Sequence, residues 1–149
     1  MGINMLKGIP KILSSELFKV LMDMGHGDEI VISDGNFPAA TCAKRLVKCD
    51  GHGVPEILEA ILKFLPLDQY VEKPAALMGV VPGDPTVPVI WKEYESIIKK
   101  YNAGFKGFEY EERFDFYERS KEAFAVVLTG ESALYANVIL KKGVVKENE

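Results

Sequence analysis

Short apolar, β-branched runs alternate along most of the chain with segments in which apolar residues recur at helical spacing. The runs that predict strands are "EIVIS" (29–33), the weaker "RLVKC" (45–49), "AALMGVV" (75–81), "FEYEERF" (108–114), "AFAVVLTG" (123–130) and "YANVILKKG" (135–143). Strands that alternate with helices form layered domains, so the pattern predicts the α/β fold class.

Four segments predict the helices between these runs. Ser14 or Ser15 can cap the first helix, which has an apolar face formed by Leu17, Val20, Leu21 and Met24 and is expected to end at Gly25. Pro55 begins the second helix, 91–101 forms the third, and "FYERSKEAF" (116–124) forms the fourth.

Length and charge limit the class of protein. With 149 residues and 48% hydrophobic residues, the chain suits one domain spanning 1–149. The formal net charge is −4 and the basic residues are dispersed, which disfavours a nucleic-acid partner. No apolar run approaches the roughly 18 residues that span a bilayer, so we expect a cytoplasmic protein without a membrane partner. The two cysteines, Cys42 and Cys49, are interpreted as reduced and structural.

One of only two histidines, His26, lies between two glycines, after the first predicted helix and before the strand at 29–33. Histidine has an unperturbed pKa of about 6.5 and can act as a general acid or base near neutral pH. Asp28 and Asp34 lie nearby, which favours a functional role. The alternative is that His26 only interacts with the carboxyl end of the preceding helix.

The second histidine, His52, also lies between glycines, which raises the possibility of a metal site formed with His26 and one of Asp28, Asp34 or Asp50. The chain contains no HxH, HxxxH or Cys/His cluster, so His52 is interpreted as a loop residue before a helix, and no metal is expected. Glycine-rich phosphate-binding motifs and the GxSxG motif are also absent, so no nucleotide cofactor is expected.

Polar residues at strand ends are the other binding candidates. Asp34 follows the strand at 29–33, at the edge where open α/β sheets bind ligands. Tyr135 and Asn137 lie two residues apart at the mouth of a strand, where they could bind a polyol from one face. Asp68 alone is compatible with a simple turn, and Arg113 and Tyr117 with a charged helix face.

Four segments occur in an order and spacing that cover nearly the whole chain: "MGHGDEIVISDGNFPA", "LPLDQYVEKPAALM", "ERFDFYERSKEAFAVVLTGESALYAN" and "LKKGV". In these segments the chain resembles the L-fucose mutarotase branch of the fucose mutarotase and ribose pyranase family. The resemblance implies a single three-layer α/β/α domain with a mixed sheet, a homodecamer with sites near subunit contacts, and no cofactor.

The resemblance also implies roles for individual residues. His26 matches the family's proton donor, Asp34 a sugar-binding carboxylate, and Asp68 and Tyr117 catalytic or binding groups, while the other sugar contacts match Met78, Arg113, Tyr135 and Asn137. The implied reaction is anomer exchange of L-fucose, in which the ring oxygen gains a proton, the anomeric hydroxyl loses one, and the open aldehyde recloses. Which residue serves which oxygen is left open.

Two alternatives to a fucose mutarotase follow from the same residues. Ala136 lies between Tyr135 and Asn137, where fucose enzymes usually have glycine and ribose pyranases commonly have alanine, so D-ribose is the alternative substrate. Arg113 and "FYERSKEAFAVV" are features of the fucose branch. The second alternative is a non-catalytic sugar-binding protein.

Overall fold

The computed structural model describes residues 5–147 of the chain. Within these residues the helices are α1 (Ser15–Asp23), α2 (Ala39–Cys42), α3 (Val54–Leu62), α4 (Ile90–Tyr101) and α5 (Arg113–Glu122). The strands are β1 (Glu29–Ser33), β2 (Leu46–Cys49), β3 (Ala75–Met78), β4 (Glu109–Glu111), β5 (Ala125–Thr129) and β6 (Val138–Lys141).

The strands form one mixed sheet in the order β2-β5-β1-β6-β3-β4. Strand β6 pairs antiparallel with both β1 and β3, and the remaining pairs are parallel. Five strands therefore end at one edge of the sheet, which we call the carboxyl edge, and β6 begins there. The opposite edge is called the amino edge.

Successive side chains of β1 point to opposite faces of the sheet, and each face carries a buried apolar cluster. Ile30 and Ile32 belong to one buried apolar cluster, together with residues of α1, α3 and α4. Val31 belongs to a second cluster with Phe116 of α5 and Cys42 of α2. Helices cover both faces, which confirms the predicted three-layer α/β/α architecture with a mixed sheet.

The first helix positions the loop that carries His26. Ser14 caps α1 by accepting a hydrogen bond from the backbone N–H of Leu17 at 3.1 Å. The helix ends at Asp23, earlier than the expected end at Gly25. The left-handed residue of the following turn is Gly27, with φ 87°. His26 therefore lies between α1 and β1, as predicted.

Several predicted boundaries differ from the structure. The strand predicted at 75–81 ends at Met78, and the one predicted at 108–114 is limited to Glu109–Glu111. Residues 113 and 114 belong to α5, because the Glu112 carboxylate accepts hydrogen bonds from the N–H groups of Phe114 and Asp115 and caps that helix. The short helix α2 was not predicted.

Helix α5 is attached to the sheet by the apolar packing of Phe116 and by one cation, and Phe116 and Ser120 are its buried residues. The Arg119 guanidinium lies 2.7 Å from a carboxylate oxygen of Glu29 in β1 and 3.2 Å from oxygens of both Glu109 and Glu111 in β4. The Arg119 and Glu29 side chains are mostly buried. This ion cluster fixes the position of α5 relative to two strands.

We expect Arg119→Ala to lower the free energy of unfolding by about 2–3 kcal/mol, because it leaves three neighbouring carboxylates without their cation. Lys19→Ala is the control, since the Lys19–Asp23 pair is exposed on α1 and is worth no more than about 0.5 kcal/mol. Urea denaturation measures both values. Equal losses in the two variants would contradict a special role for the Arg119 cluster.

Candidate functional site

A cavity of about 240 Å³ opens at the carboxyl edge. Its lining comes from the end of β3, from the segments that follow β1 and β3, from the segment that precedes β6, and from the first turns of α5. We call it the carboxyl-edge pocket, and its lining residues are Asp34, Asn36, Phe37, Met78, Val81, Asp84, Arg113, Tyr117, Leu134, Tyr135 and Asn137. Six of the residues proposed from the sequence are in this lining.

Asp34 lines the pocket directly after β1 and is 6% exposed. Its Oδ1 accepts a hydrogen bond from the Asn36 N–H at 3.0 Å, and its own N–H donates to Oδ1 of Asn137 at 2.8 Å. Burial raises the pKa of the Asp34 carboxyl and outweighs the backbone hydrogen bonds that lower it. The pocket thus holds a buried carboxyl group that takes up a proton more readily than an ordinary aspartate.

The strand predicted at 135–143 begins only at Val138, and the residues before it form a turn. Tyr135 has φ 57°, the only positive φ of a non-glycine residue within 5–147. Its hydroxyl donates to Asp84 at 2.6 Å and accepts from the Val81 N–H at 3.2 Å. Although Tyr135 and Asn137 lie outside the strand, both reach the same pocket, as their spacing suggested.

Helix α5 contributes two side chains one turn apart. Nε of Arg113 donates to the hydroxyl of Tyr117 at 3.2 Å, and its guanidinium carbon lies 5.6 Å from the centre of that ring. Phe37 packs edge-on against Tyr117, with ring centres 5.6 Å apart. These contacts give the pocket a cation, a phenol and an aromatic wall.

The remaining two predicted site residues form a separate pair at the amino edge. Nε2 of His26 lies 3.1 Å from Oδ1 of Asp68, whose side chain is 5% exposed, whereas that of His26 is 45% exposed. Burial alone would raise the pKa of Asp68, but the Tyr70 N–H bond and the contacts with His26 hold it below its usual value. The arrangement is a carboxylate that orients an accessible imidazole.

Strand β1 separates this pair from the pocket. His26 precedes the strand and Asp34 follows it, and five residues of strand span about 16 Å. Within one chain, therefore, His26 and Asp68 do not contact the lining residues. The positions of both residues along the sequence already imply opposite edges, since a strand intervenes between them.

Sequence reasoning missed five of the lining residues, namely Asn36, Phe37, Val81, Asp84 and Leu134. Asp84 lies in the loop that follows β3, and polar residues after parallel strands gather at one edge. Its position in "PGDPTVPV" was therefore an available signal. Val81 and Leu134 carry no chemical signal that distinguishes them from core residues.

The other candidates lie outside this pocket. His52 interacts with Glu56 at 3.2 Å just before α3, as expected of a loop residue. Burial raises the pKa of both the Cys42 and Cys49 thiols, and both cysteines are free.

No three His, Cys, Asp or Glu residues within 5–147 are arranged to hold a metal ion. In the same span, no helix is long and apolar enough to cross a membrane.

Two comparisons with known proteins extend over nearly the whole chain. The sequence profile of the RbsD / FucU transport protein family matches residues 7–145. Fucose mutarotase from Homo sapiens is 52% identical over 149 residues, covering 96% of each chain.

Two solved structures share the fold. The fucose mutarotase from Streptococcus pneumoniae, crystallised in complex with L-fucose, matches with a TM-score of 0.87 and 51% identity, covering 95% of this chain and 100% of that one. Bacillus subtilis RbsD, crystallised in complex with D-ribose, matches with a TM-score of 0.68 and 25% identity, covering 90% and 95% of the two chains. With a profile match over residues 7–145 and a relative above 50% identity, the chain belongs to the RbsD/FucU family.

Proposed function

We propose that this protein is an L-fucose mutarotase, an isomerase that interconverts the α and β anomers of the free sugar. The observation that carries the proposal is the carboxyl-edge pocket, which combines a buried carboxyl, an amide, a guanidinium and two phenols. These groups can bind several hydroxyls at once. The fucose mutarotases at above 50% identity support the same activity.

The lining also suits a six-carbon deoxy sugar. Asp34, Arg113 and Asn137 bind hydroxyls, whereas Tyr117 and Tyr135 offer aromatic faces and phenol groups. Met78, Val81 and Leu134 provide apolar surface for the methyl group that distinguishes L-fucose from D-ribose. Ala136 is fully buried and is not part of the lining, so an alanine in place of glycine there leaves the sugar surface unchanged.

His26 is proposed to act on a sugar in the pocket of a second copy of the chain. The His26–Asp68 pair lies about a strand's length from its own pocket. Exposed apolar side chains flank both places: Tyr70 and Val71 near His26, and Val81, Phe114 and Leu134 at the pocket. A head-to-tail contact of the amino edge of one copy with the carboxyl edge of the next covers both surfaces, and such contacts form rings when their rotation closes.

We further propose a homodecamer built on this contact, a cytoplasmic location and a single domain over 1–149. The oligomer size follows from the family resemblance, and the two unpaired thiols, Cys42 and Cys49, suit a reducing compartment.

In the reaction, one proton is delivered to the ring oxygen and one is removed from the anomeric hydroxyl. The C1–O5 bond breaks, the aldehyde rotates about C1–C2, and the ring recloses. His26 is the proton donor, and its hydrogen bond to Asp68 orients the ring. Asp68 and Tyr117 assist, the former through His26 and the latter from the lining of the pocket.

Saturation-transfer NMR on equilibrated sugars tests the activity. We expect the protein to accelerate exchange between the α and β forms of L-fucose, and to accelerate exchange between the forms of D-ribose less at equal concentration.

Arg113→Ala should lower the rate of fucose exchange more than that of ribose exchange, since a lost hydrogen bond in a site costs about 1–3 kcal/mol. Binding without acceleration would instead identify a sugar-binding protein, and a preference for ribose would identify a pyranase.

His26→Gln should reduce L-fucose exchange by about 10²–10⁴-fold, since that is the usual contribution of a general acid or base. His52→Gln is the matched control, because the His52 side chain hydrogen-bonds to the exposed Glu56 and lies outside the pocket lining, and it should retain full activity. Full activity in His26→Gln would remove His26 from the mechanism.

The same variant tests the second-copy proposal by complementation. In oligomers assembled from equal amounts of His26→Gln and Asp34→Asn chains, about a quarter of the sites should pair an intact His26 with an intact Asp34. We expect exchange activity to rise toward that fraction of the unmodified rate. Mixed oligomers as inactive as their parents would show that both residues must come from one chain.

The raised pKa of Asp34 predicts how sugar binding depends on pH. If the carboxylate form binds the sugar, affinity falls as pH decreases through this pKa, beginning at a higher pH than for a solvent-exposed aspartate. An L-fucose titration followed by NMR at several pH values measures the effect. Asp34→Asn should bind more weakly with a flat profile, and an unchanged slope in that variant would assign the titration to another group.

A further inference from the structure

Two aromatic side chains of α4 hold the turn that carries Tyr135 and Asn137. The indole N–H of Trp91 donates to the carbonyl oxygen of Tyr135 at 2.7 Å. The hydroxyl of Tyr94 donates to the next carbonyl, that of Ala136, also at 2.7 Å. Trp91 and Tyr94 are three residues apart, so one face of the helix binds two consecutive peptide groups.

The conformation of the turn depends on such anchors. Tyr135 occupies the left-handed region at φ 57°, which a side-chain-bearing residue adopts only when its surroundings enforce it. Because Trp91 and Tyr94 bind the carbonyls of Tyr135 and Ala136, they oppose rotation of this backbone into an extended form. The hydroxyl of Tyr135 binds Asp84 from this left-handed conformation.

The same anchors determine the position of the pocket's polar groups. Asn137 directly follows the anchored carbonyls, and its Oδ1 accepts the N–H of Asp34 at 2.8 Å. A shift of the turn therefore moves both Tyr135 and Asn137, and Asn137 is the residue that hydrogen-bonds to Asp34. Tyr94 is fully buried, and burial raises its pKa, so its phenol remains a neutral donor.

We propose that Trp91 and Tyr94 are positioning residues of the sugar site, which hold the Tyr135–Asn137 turn in its binding geometry without touching the sugar. Neither residue belongs to the pocket lining. The proposal rests on the assignment of the carboxyl-edge pocket as the site of the mutarotase reaction. It adds the α4 face as a determinant of sugar affinity.

Tyr94→Phe tests the proposal, because it removes only the hydroxyl that binds Ala136. We expect the KM for L-fucose exchange to rise by about tenfold, since the buried Ala136 carbonyl loses its hydrogen bond and the turn loses one of its two anchors. Tyr101→Phe is the matched control on the same helix, because its hydroxyl binds Glu59 and lies outside the pocket lining. It should leave KM unchanged.

A second control separates positioning from general destabilisation. Ile98→Val removes one methylene from a fully buried residue of α4 whose apolar side chain cannot hydrogen-bond to either carbonyl, so it is expected to lower stability alone. The proposal is overturned if Ile98→Val raises KM as much as Tyr94→Phe does, or if Tyr94→Phe keeps the unmodified KM. If Tyr94→Phe does not fold, Trp91→Phe, at a less buried position, receives the same measurements.

A measurement without sugar tests the positioning role of Trp91 and Tyr94 separately from the mutarotase activity. Hydrogen exchange of the Asp34 amide reports on the bond to Asn137, so it should accelerate in Tyr94→Phe and stay unchanged in Tyr101→Phe. If the unmodified protein fails to accelerate anomer exchange, the mutarotase assignment fails, while this amide still decides the positioning role. Equal hydrogen-exchange rates of the Asp34 amide in the unmodified protein, Tyr94→Phe and Tyr101→Phe would refute the positioning role.

Discussion

The antiparallel strand β6 is the element on which the rest of the structure depends. It lies between β1 and β3 and forms hydrogen-bonded ladders with both, so it joins the two halves of the sheet. Because it runs against its neighbours, its amino end reaches the edge where the parallel strands terminate. Asn137 therefore meets the backbone of Asp34, although 103 positions separate these residues in the sequence.

Two aspartates of the candidate site have opposite electrostatic environments. Asp34 is buried and its pKa is raised, whereas the pKa of Asp68 is lowered by a backbone N–H and by His26. Groups whose environments separate their pKa values in this way are suited to different proton-transfer roles. Asp34 lies at the carboxyl edge and Asp68 lies beside His26 at the amino edge, so the two groups do not meet within one chain.

The sequence predicts most of the fold because its apolar periodicity is strong where elements are long. The face of α1 and the strand at 29–33 follow directly from residue spacing. Boundaries fail where local contacts override the pattern. Val81 donates to the hydroxyl of Tyr135 rather than extending β3, and the Glu112 cap converts an alternating segment into the start of α5.

Much of the candidate site could also be predicted from the sequence, since residues that follow parallel strands lie at the same edge of the sheet. The division between His26 and the pocket was overlooked, because the resemblance grouped eight residues without regard to their strand ends. The anchoring by Trp91 and Tyr94 could not be predicted. Their spacing is equally typical of core residues. Only the three-dimensional structure reveals that their polar atoms donate hydrogen bonds to the carbonyls of Tyr135 and Ala136.

The pocket is built mainly from segments beyond the strand ends, while the two apolar cores lie within the layers. Of the lining residues, Met78 belongs to a strand and Arg113 and Tyr117 to a helix, and the others lie in loops and turns. Loop residues tolerate replacement better than interlocked core residues. Sugar preference can therefore diverge during evolution while the sheet stays unchanged, and one scaffold can give rise to relatives that bind different monosaccharides.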